Sequence, residues 1–323
     1  MAISLRKLAR QERSLAPGHR ACAGCAFPSI IRVVLSVTDE PIVVVNATGC
    51  MEVVTSIYPY NAWPVPWFHN AFENAAATIS GIEASYKALV RKGKIPAGKK
   101  IHFVAFGGDG GTYDIGLQAL SGAVERGHNF LYVCYDNGAY MNTGIQRSGA
   151  TPRHGSTTTS PSGTVVPGKQ QRRKPLTEIL AAHDMAFAGQ AAPSHWLDIA
   201  RKVEKSLAVD GPAFLNVLSA CPPGWGYPED KTVEISRLAV ETGFWPLFEV
   251  EQGFFKINYR PAEFKPLEEF LSAQTRFKHI MADPKLLDDL KADIKHEWDR
   301  LDYLAARPRP EDMGKIEEVA KEG

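Results

Sequence analysis

Two strand-like runs, each ending in a glycine-bearing polar turn, restrict the folds open to this chain more than any other feature. Residues 100–106 (KIHFVAF) lead straight into Gly107-Gly108-Asp109-Gly110-Gly111 and then a helix-like stretch at 115–126. Residues 129–136 (NFLYVCYD) lead into Asn137-Gly138-Ala139-Tyr140-Met141-Asn142-Thr143-Gly144, so that Asn137 follows Asp109 by 28 positions. Short, apolar runs rich in β-branched and aromatic residues suit strands covered on both faces. Two more, 41–46 (PIVVVN) and 213–218 (AFLNVL), have the same character, and residues 71–91 repeat Ala, Ile, Leu and Tyr along one helical face. The alternation predicts an α/β fold: a doubly wound, mostly parallel sheet with a C-terminal arm. Ligands in such sheets bind beyond the carboxyl ends of the strands, where both turns lie.

A chain of 323 residues with 44% apolar content can bury a full core. Its 37 basic and 36 acidic residues nearly cancel, so charge alone recruits neither nucleic acid nor an anionic membrane. No run of 18 apolar residues occurs, and the first 19 residues lack the continuous apolar segment of a signal peptide, which reads as a cytoplasmic protein. Residues 1–235 are assigned to the α/β domain carrying the site, and 236–323 to a hairpin and helical arm at a subunit interface. The hairpin is expected over 248–260, turning at Gln252-Gly253, followed by a charged amphipathic helix over 284–306 and a polar tail. The stretch 148–174, rich in Ser, Thr, Gly, Pro and basic residues, reads as a site cover or a partner contact, with 171–174 (QRRK) as a solvated run.

The turn at 107–111 presents backbone N–H groups and a helix start to an anion, and Asp109 adds a hard oxygen suited to Mg²⁺. If the two strands are neighbours, the Asn137 amide oxygen and a nearby carbonyl complete an oxygen shell, which makes the pair a diphosphate–Mg²⁺ site. Five cysteines in a chain without a secretion signal point to metal binding or packing rather than disulfides. Cys22 and Cys25 form a C-x-x-C, while Cys50 and Cys221 follow candidate strands at the same sheet edge. Four thiolates suit a [4Fe–4S] cluster or zinc, and one close pair with two remote ligands favours iron and sulfur. Cys134, inside a strand, is assigned to the core. His69 in an aromatic turn, with Glu73 and Glu83 on a helix, reads mainly as packing or partner contact.

Together the stretches PGHRACAGC, ATGCMEVV, FHNAFENAAA, GGDGGTYDIGLQALSGAVERGHN, YDNGAYMNTGIQRS and TVEISRLAVETGFWPLFEV resemble the beta subunit of multi-subunit pyruvate:ferredoxin and related 2-oxoacid:ferredoxin oxidoreductases. The resemblance implies a fold of the thiamine diphosphate-binding type and a thiamine diphosphate-dependent enzyme. It implies that Gly108, Asp109, Gly110, Gly111, Asn137, Ala139, Asn142 and Thr143 bind the cofactor, with Asp109, Asn137 and the Ala139 carbonyl on Mg²⁺. Asn142 would face the reacting carbons, and Cys22, Cys25, Cys50 and Cys221 would hold one [4Fe–4S] cluster. It implies oxidation of a 2-oxo acid, pyruvate favoured, to acyl-coenzyme A and CO₂, with electrons passed to ferredoxin. An alpha subunit would supply the pyrimidine-binding half, beside gamma and delta-type subunits. Branched-chain, aryl or 2-oxoglutarate substrates and oxalate are alternatives; a zinc-stabilised, thiamine-free scaffold and a non-oxidative thiamine decarboxylase are rivals.

Overall fold

The computed structural model describes residues 15–308; most of the N-terminal stretch read for a leader, and the polar tail from 309 onward, lie outside them. Eight strands form one sheet: β1 Ile42–Ala47, β2 Trp67–Asn70, β3 His102–Gly108, β4 Leu131–Asp136, β5 Phe187–Ala191, β6 Ala213–Leu218, β7 Leu247–Glu251 and β8 Phe254–Tyr259. Their spatial order is β2-β1-β3-β4-β6-β5-β7-β8. The first six are parallel, and β7 and β8 continue the sheet antiparallel from β5. The hairpin is therefore hydrogen-bonded into the same sheet as the site.

Both faces are covered. Val44, Val104, Phe106, Val133 and Leu215 point to one side, where α1 (Phe27–Ser36) and α6 (Trp196–Ala208) pack together. Val45, Ala105, Tyr132, Cys134 and Phe214 point to the other, against α3 (Ala75–Arg91), α4 (Leu117–Glu125) and α5 (Leu176–Ala181). Period-two alternation thus feeds two cores from one set of strands, which is why each strand reads as continuously apolar. Helix α2 is Cys50–Thr55 and α7 is Pro222–Trp225. A third core, around Trp225, Trp245, Phe270 and Phe277, lies under α8 (Thr232–Glu241), α9 (Leu267–Ser272) and α10 (Pro284–Ala305).

The hairpin turns at Gln252 and Gly253, both at positive φ (51° and 83°), as a two-residue connection matched to strand twist requires. Strands β2 and β5 were not expected. The first is a four-residue edge strand with two exposed side chains, and the second, FAGQA, is fully buried yet has no β-branched residue. Among the described residues no helix is long and apolar enough to cross a membrane.

Candidate active site

Strand register brings the site together. In the parallel sheet Asn46 is level with Phe106, Gly108 with Tyr135, and Asp136 with Leu218. The chain just beyond each strand therefore meets the next at one rim: Cys50 after β1, Asp109 after β3, Asn137 after β4 and Cys221 after β6. Because β1 is followed outward by β2 and the chain returns inward as β3, the crevice beside β1 is a point where strand order reverses, the usual place for a ligand in such sheets.

Asp109 is 1% exposed. Its Oδ1 accepts from the Asn137 backbone N–H at 3.2 Å, and its Oδ2 accepts from the Ser148 hydroxyl at 2.5 Å. Burial, with the nearby charge of Asp136, pushes its carboxyl well above the usual range. The Asn137 carboxamide lies 2.9 Å from Asp109 Oδ1 and 2.8 Å from the Ala139 carbonyl oxygen; with its nitrogen turned inward it donates to both. With its oxygen turned inward, three oxygens face one point, the donor set of a small hard cation.

Beyond Asp109 the chain takes a π-helical turn, Gly110–Ile115, before α4. Its first N–H groups have no partner within the turn and are available to an anion. Gly110 is required by packing: a Cβ there would lie 2.3 Å from the Tyr140 ring, whose hydroxyl donates to the Gly110 carbonyl at 2.9 Å. Gly108, Asp109, Gly110, Gly111, Asn137, Ala139, Asn142, Thr143 and Cys50 all line one cleft, with Thr48, Phe72 and Tyr135. Asn142 and Thr143 are exposed at its mouth.

The cysteines approach from three segments. The Cys22–Cys25 turn is closed by the Cys25 N–H donating to the Cys22 carbonyl at 3.1 Å. Gly24 takes φ +69° there, and a Cβ on it would sit 2.1 Å from the Glu229 carbonyl oxygen, so the turn is seated against the start of α8, where Thr232 also donates to the Gly24 carbonyl. Cys221 caps α7, its Sγ accepting from the Gly224 N–H at 3.4 Å. Cys22 is exposed; Cys25, Cys50 and Cys221 are half-buried. Burial pushes the Cys25 and Cys50 thiols up to about 12, reinforced in both by the other cysteines of the group, and it raises Cys221. No three His, Cys, Asp or Glu side chains among the described residues are grouped tightly enough for a single metal ion. Cys134 stands apart, fully buried in β4.

Sequence reasoning missed the groups that hold the rim in place. Besides Ser148, Thr151 donates to the Gly138 carbonyl at 2.7 Å, and Asp114 accepts from the Gly149 N–H at 2.8 Å. The basic run, expected to be solvated, is exposed at Gln171 and Arg172, yet its basic side chains are all engaged in ion pairs. Arg173 ion-pairs with Asp136 and stacks 4.1 Å from the Trp245 ring; Lys174 pairs with Asp114 at 2.8 Å, and Arg172 with Asp293 at 2.7 Å. No local pattern signals these pairings, whose acidic partners are remote in the chain. His69 is half exposed, stacked on Trp67 and 3.4 Å from Glu52. Glu83 is buried on α3, with His128 at 3.0 Å and Lys87 as partners.

The fold and the rim define a thiamine diphosphate-type domain, and comparison agrees: residues 47–217 match the model of the thiamine pyrophosphate enzyme C-terminal, TPP-binding domain. Pyruvate synthase subunit PorB of Thermotoga maritima is 52% identical over 312 residues, covering 93% of this chain and 96% of the relative. The PorB subunit of Methanocaldococcus jannaschii is 54% identical (84% and 91%), and ketoisovalerate oxidoreductase subunit VorB of Pyrococcus abyssi is 44% identical (91% and 94%). A 2-oxoglutarate:ferredoxin oxidoreductase structure from Magnetococcus marinus superposes with TM-score 0.54 at 20% identity over 69% of this chain and 72% of that one, a likeness of fold. The chain belongs to the PorB-type beta subunits of the thiamine diphosphate-dependent 2-oxoacid:ferredoxin oxidoreductase family.

Proposed function

We propose that this subunit grips the diphosphate end of thiamine diphosphate through Mg²⁺ and carries one [4Fe–4S] cluster beside it, for the oxidation of pyruvate to acetyl-coenzyme A and CO₂. The observation that carries this reading is the cleft in which Cys50 and Asn142 lie alongside Asp109 and Asn137. Bound thiamine diphosphate supplies the carbon nucleophile and electron sink for decarboxylation, and an iron–sulfur cluster supplies one-electron acceptance.

The remaining roles fall to residues of the chain. Asp109, Asn137 and the Ala139 carbonyl would hold Mg²⁺. Burying two acidic groups, Asp109 and Asp136, with Arg173 as their one ion-pair partner among the described residues, fits a site that takes up a further cation. The N–H groups opening the π-helical turn would receive phosphate oxygens. Ser148 fixes the carboxylate of Asp109, and Asn142 at the cleft mouth would face the reacting carbons. Cys22, Cys25, Cys50 and Cys221 would ligate the cluster. One close cysteine pair with two ligands remote in the chain suits an iron–sulfur cluster better than zinc.

An alpha subunit would complete the thiamine site, with gamma and delta-type subunits relaying electrons to ferredoxin, and the segment after residue 235 would contribute to the subunit interface. Pyruvate is favoured by the PorB relatives; the VorB relative keeps ketoisovalerate as the second reading.

Iron and sulfide analysis of the anaerobically purified complex, with coenzyme A-dependent dye reduction across a panel of 2-oxo acids, tests this. Four irons bound through this chain and fastest turnover on pyruvate are expected. Zinc in place of iron would overturn the cluster, and an Asp109→Ala subunit with unchanged Mg²⁺-dependent cofactor affinity would overturn the metal site.

A further inference from the structure

Arg276 lies in the third core, 7% exposed, and among the described residues no carboxylate forms an ion pair with it. Its Nε donates to a neutral acceptor, Gln274 Oε1, at 2.9 Å. The guanidinium lies 3.8 Å from the centre of the Trp225 ring and 4.5 Å from that of Phe277. On its other side it meets the turn after β4, where a Cβ on Gly138 would stand 3.1 Å from Nη1. Trp225 ends the short helix α7 that Cys221 caps, and its indole N–H donates to the Asn137 carbonyl at 2.6 Å. The guanidinium therefore sits where the Cys221 turn and the Asn137 turn meet.

A guanidinium largely buried without a carboxylate partner is costly. Burial lowers Arg276 to about 9, and the negative groups that act against this are Cys221 first and then Asp136. Asp136 already has Arg173. Trp225 ties the guanidinium to the short helix that Cys221 caps, so negative charge gathered on a group held by Cys221 would act on Arg276.

We propose that Arg276 sets the reduction potential of the iron–sulfur cluster ligated by Cys221, its buried positive charge favouring the reduced form. This rests on the reading that the four cysteines hold such a cluster. Reduction adds one negative charge to the cluster, and a fixed cation in a low-dielectric surrounding stabilises the more negative state. Arg276 is thus a positioning residue for electron transfer and needs no contact with substrate.

The test is a potentiometric titration of the cluster signal by electron paramagnetic resonance in the purified complex, with iron and sulfide counted for each variant. Arg276→Met keeps an apolar stem over Trp225 without the charge, and Arg276→Gln removes the charge with a polar end. In both, the reduced-to-oxidised ratio at a fixed poise is expected to fall about tenfold, equivalent to about 59 mV for one electron. Arg276→Lys, which keeps the charge, should stay within about threefold of the parent. Full iron content with an unchanged potential in the Met or Gln variant overturns the proposal. So does a Lys variant shifted as far as Met, because that assigns the effect to packing. A parent complex without iron and sulfide overturns the cluster reading itself, and the role of Arg276 with it.

Discussion

At the scale of single residues, the rim depends on close approaches that leave no room for a side chain. Gly110→Ala would drive a methyl group into the Tyr140 ring and break the hydroxyl's bond to the residue 110 carbonyl. Thiamine diphosphate affinity is expected to fall at least about tenfold, by the loss of a hydrogen bond and a distorted turn. Adding Tyr140→Ala should recover part of the lost melting temperature, because it removes the obstacle; calorimetric titration and thermal unfolding read the two effects. The residues that meet at the rim were legible in sequence, since Asp109 and Asn137 each end an apolar run and Cys50 and Cys221 follow strands. Ser148, Arg173 and Arg276 were not. Each acts on a group far away in the chain, and a serine, an arginine in a basic run or one beside an aromatic residue looks like any surface residue until the fold supplies its partner.

At the scale of elements, segment 148–174 behaves as a folded strap. Lys169 is 2% exposed, and its ammonium donates to the Gly149 and Thr151 carbonyls at 3.1 and 2.6 Å. Burial lowers it to about 8, helped by the positive charge of Arg147 and Arg173. Between pH 8 and the ordinary lysine value near 10.5 the unfolded chain holds a proton that the folded chain does not. Stability therefore rises with pH across that window, by at most about 3 kcal/mol, and the gain is lost as pH falls through about 8. Denaturant unfolding at pH 7.5 and 9.5 should show this slope in the parent and a flatter one in Lys169→Met. Among the strands, those with β-branched runs were legible and β2 and β5 were not. Alanine, glycine and glutamine form a strand at β5 because β6 and β7 flank it, and no intrinsic preference of those residues announces it.

For the whole molecule, the C-terminal elements are part of the load the sheet carries. Helix α10 packs on β8, and Trp298, 6% exposed, donates to the Gly243 carbonyl at 2.9 Å while meeting the Phe264 ring edge-on and the Arg260 guanidinium. Trp298→Ala is expected to lower stability by about 3–5 kcal/mol in urea unfolding, a core-sized loss. An appended arm would show a separate transition instead. The sequence periodicity located the hairpin and the helix but was silent on where they dock, because docking is decided by which sheet edge remains open. The seat of the Cys22–Cys25 turn on Glu229 and Thr232 adds a matter of timing. During synthesis the first two thiols leave the ribosome long before their platform exists, so the rim can close only after the chain has emerged as far as Thr232, about 200 residues later. On the proposed reading, loading of a cluster would then be a late event in maturation, and a chain truncated before residue 229 would present two unhoused sulfurs.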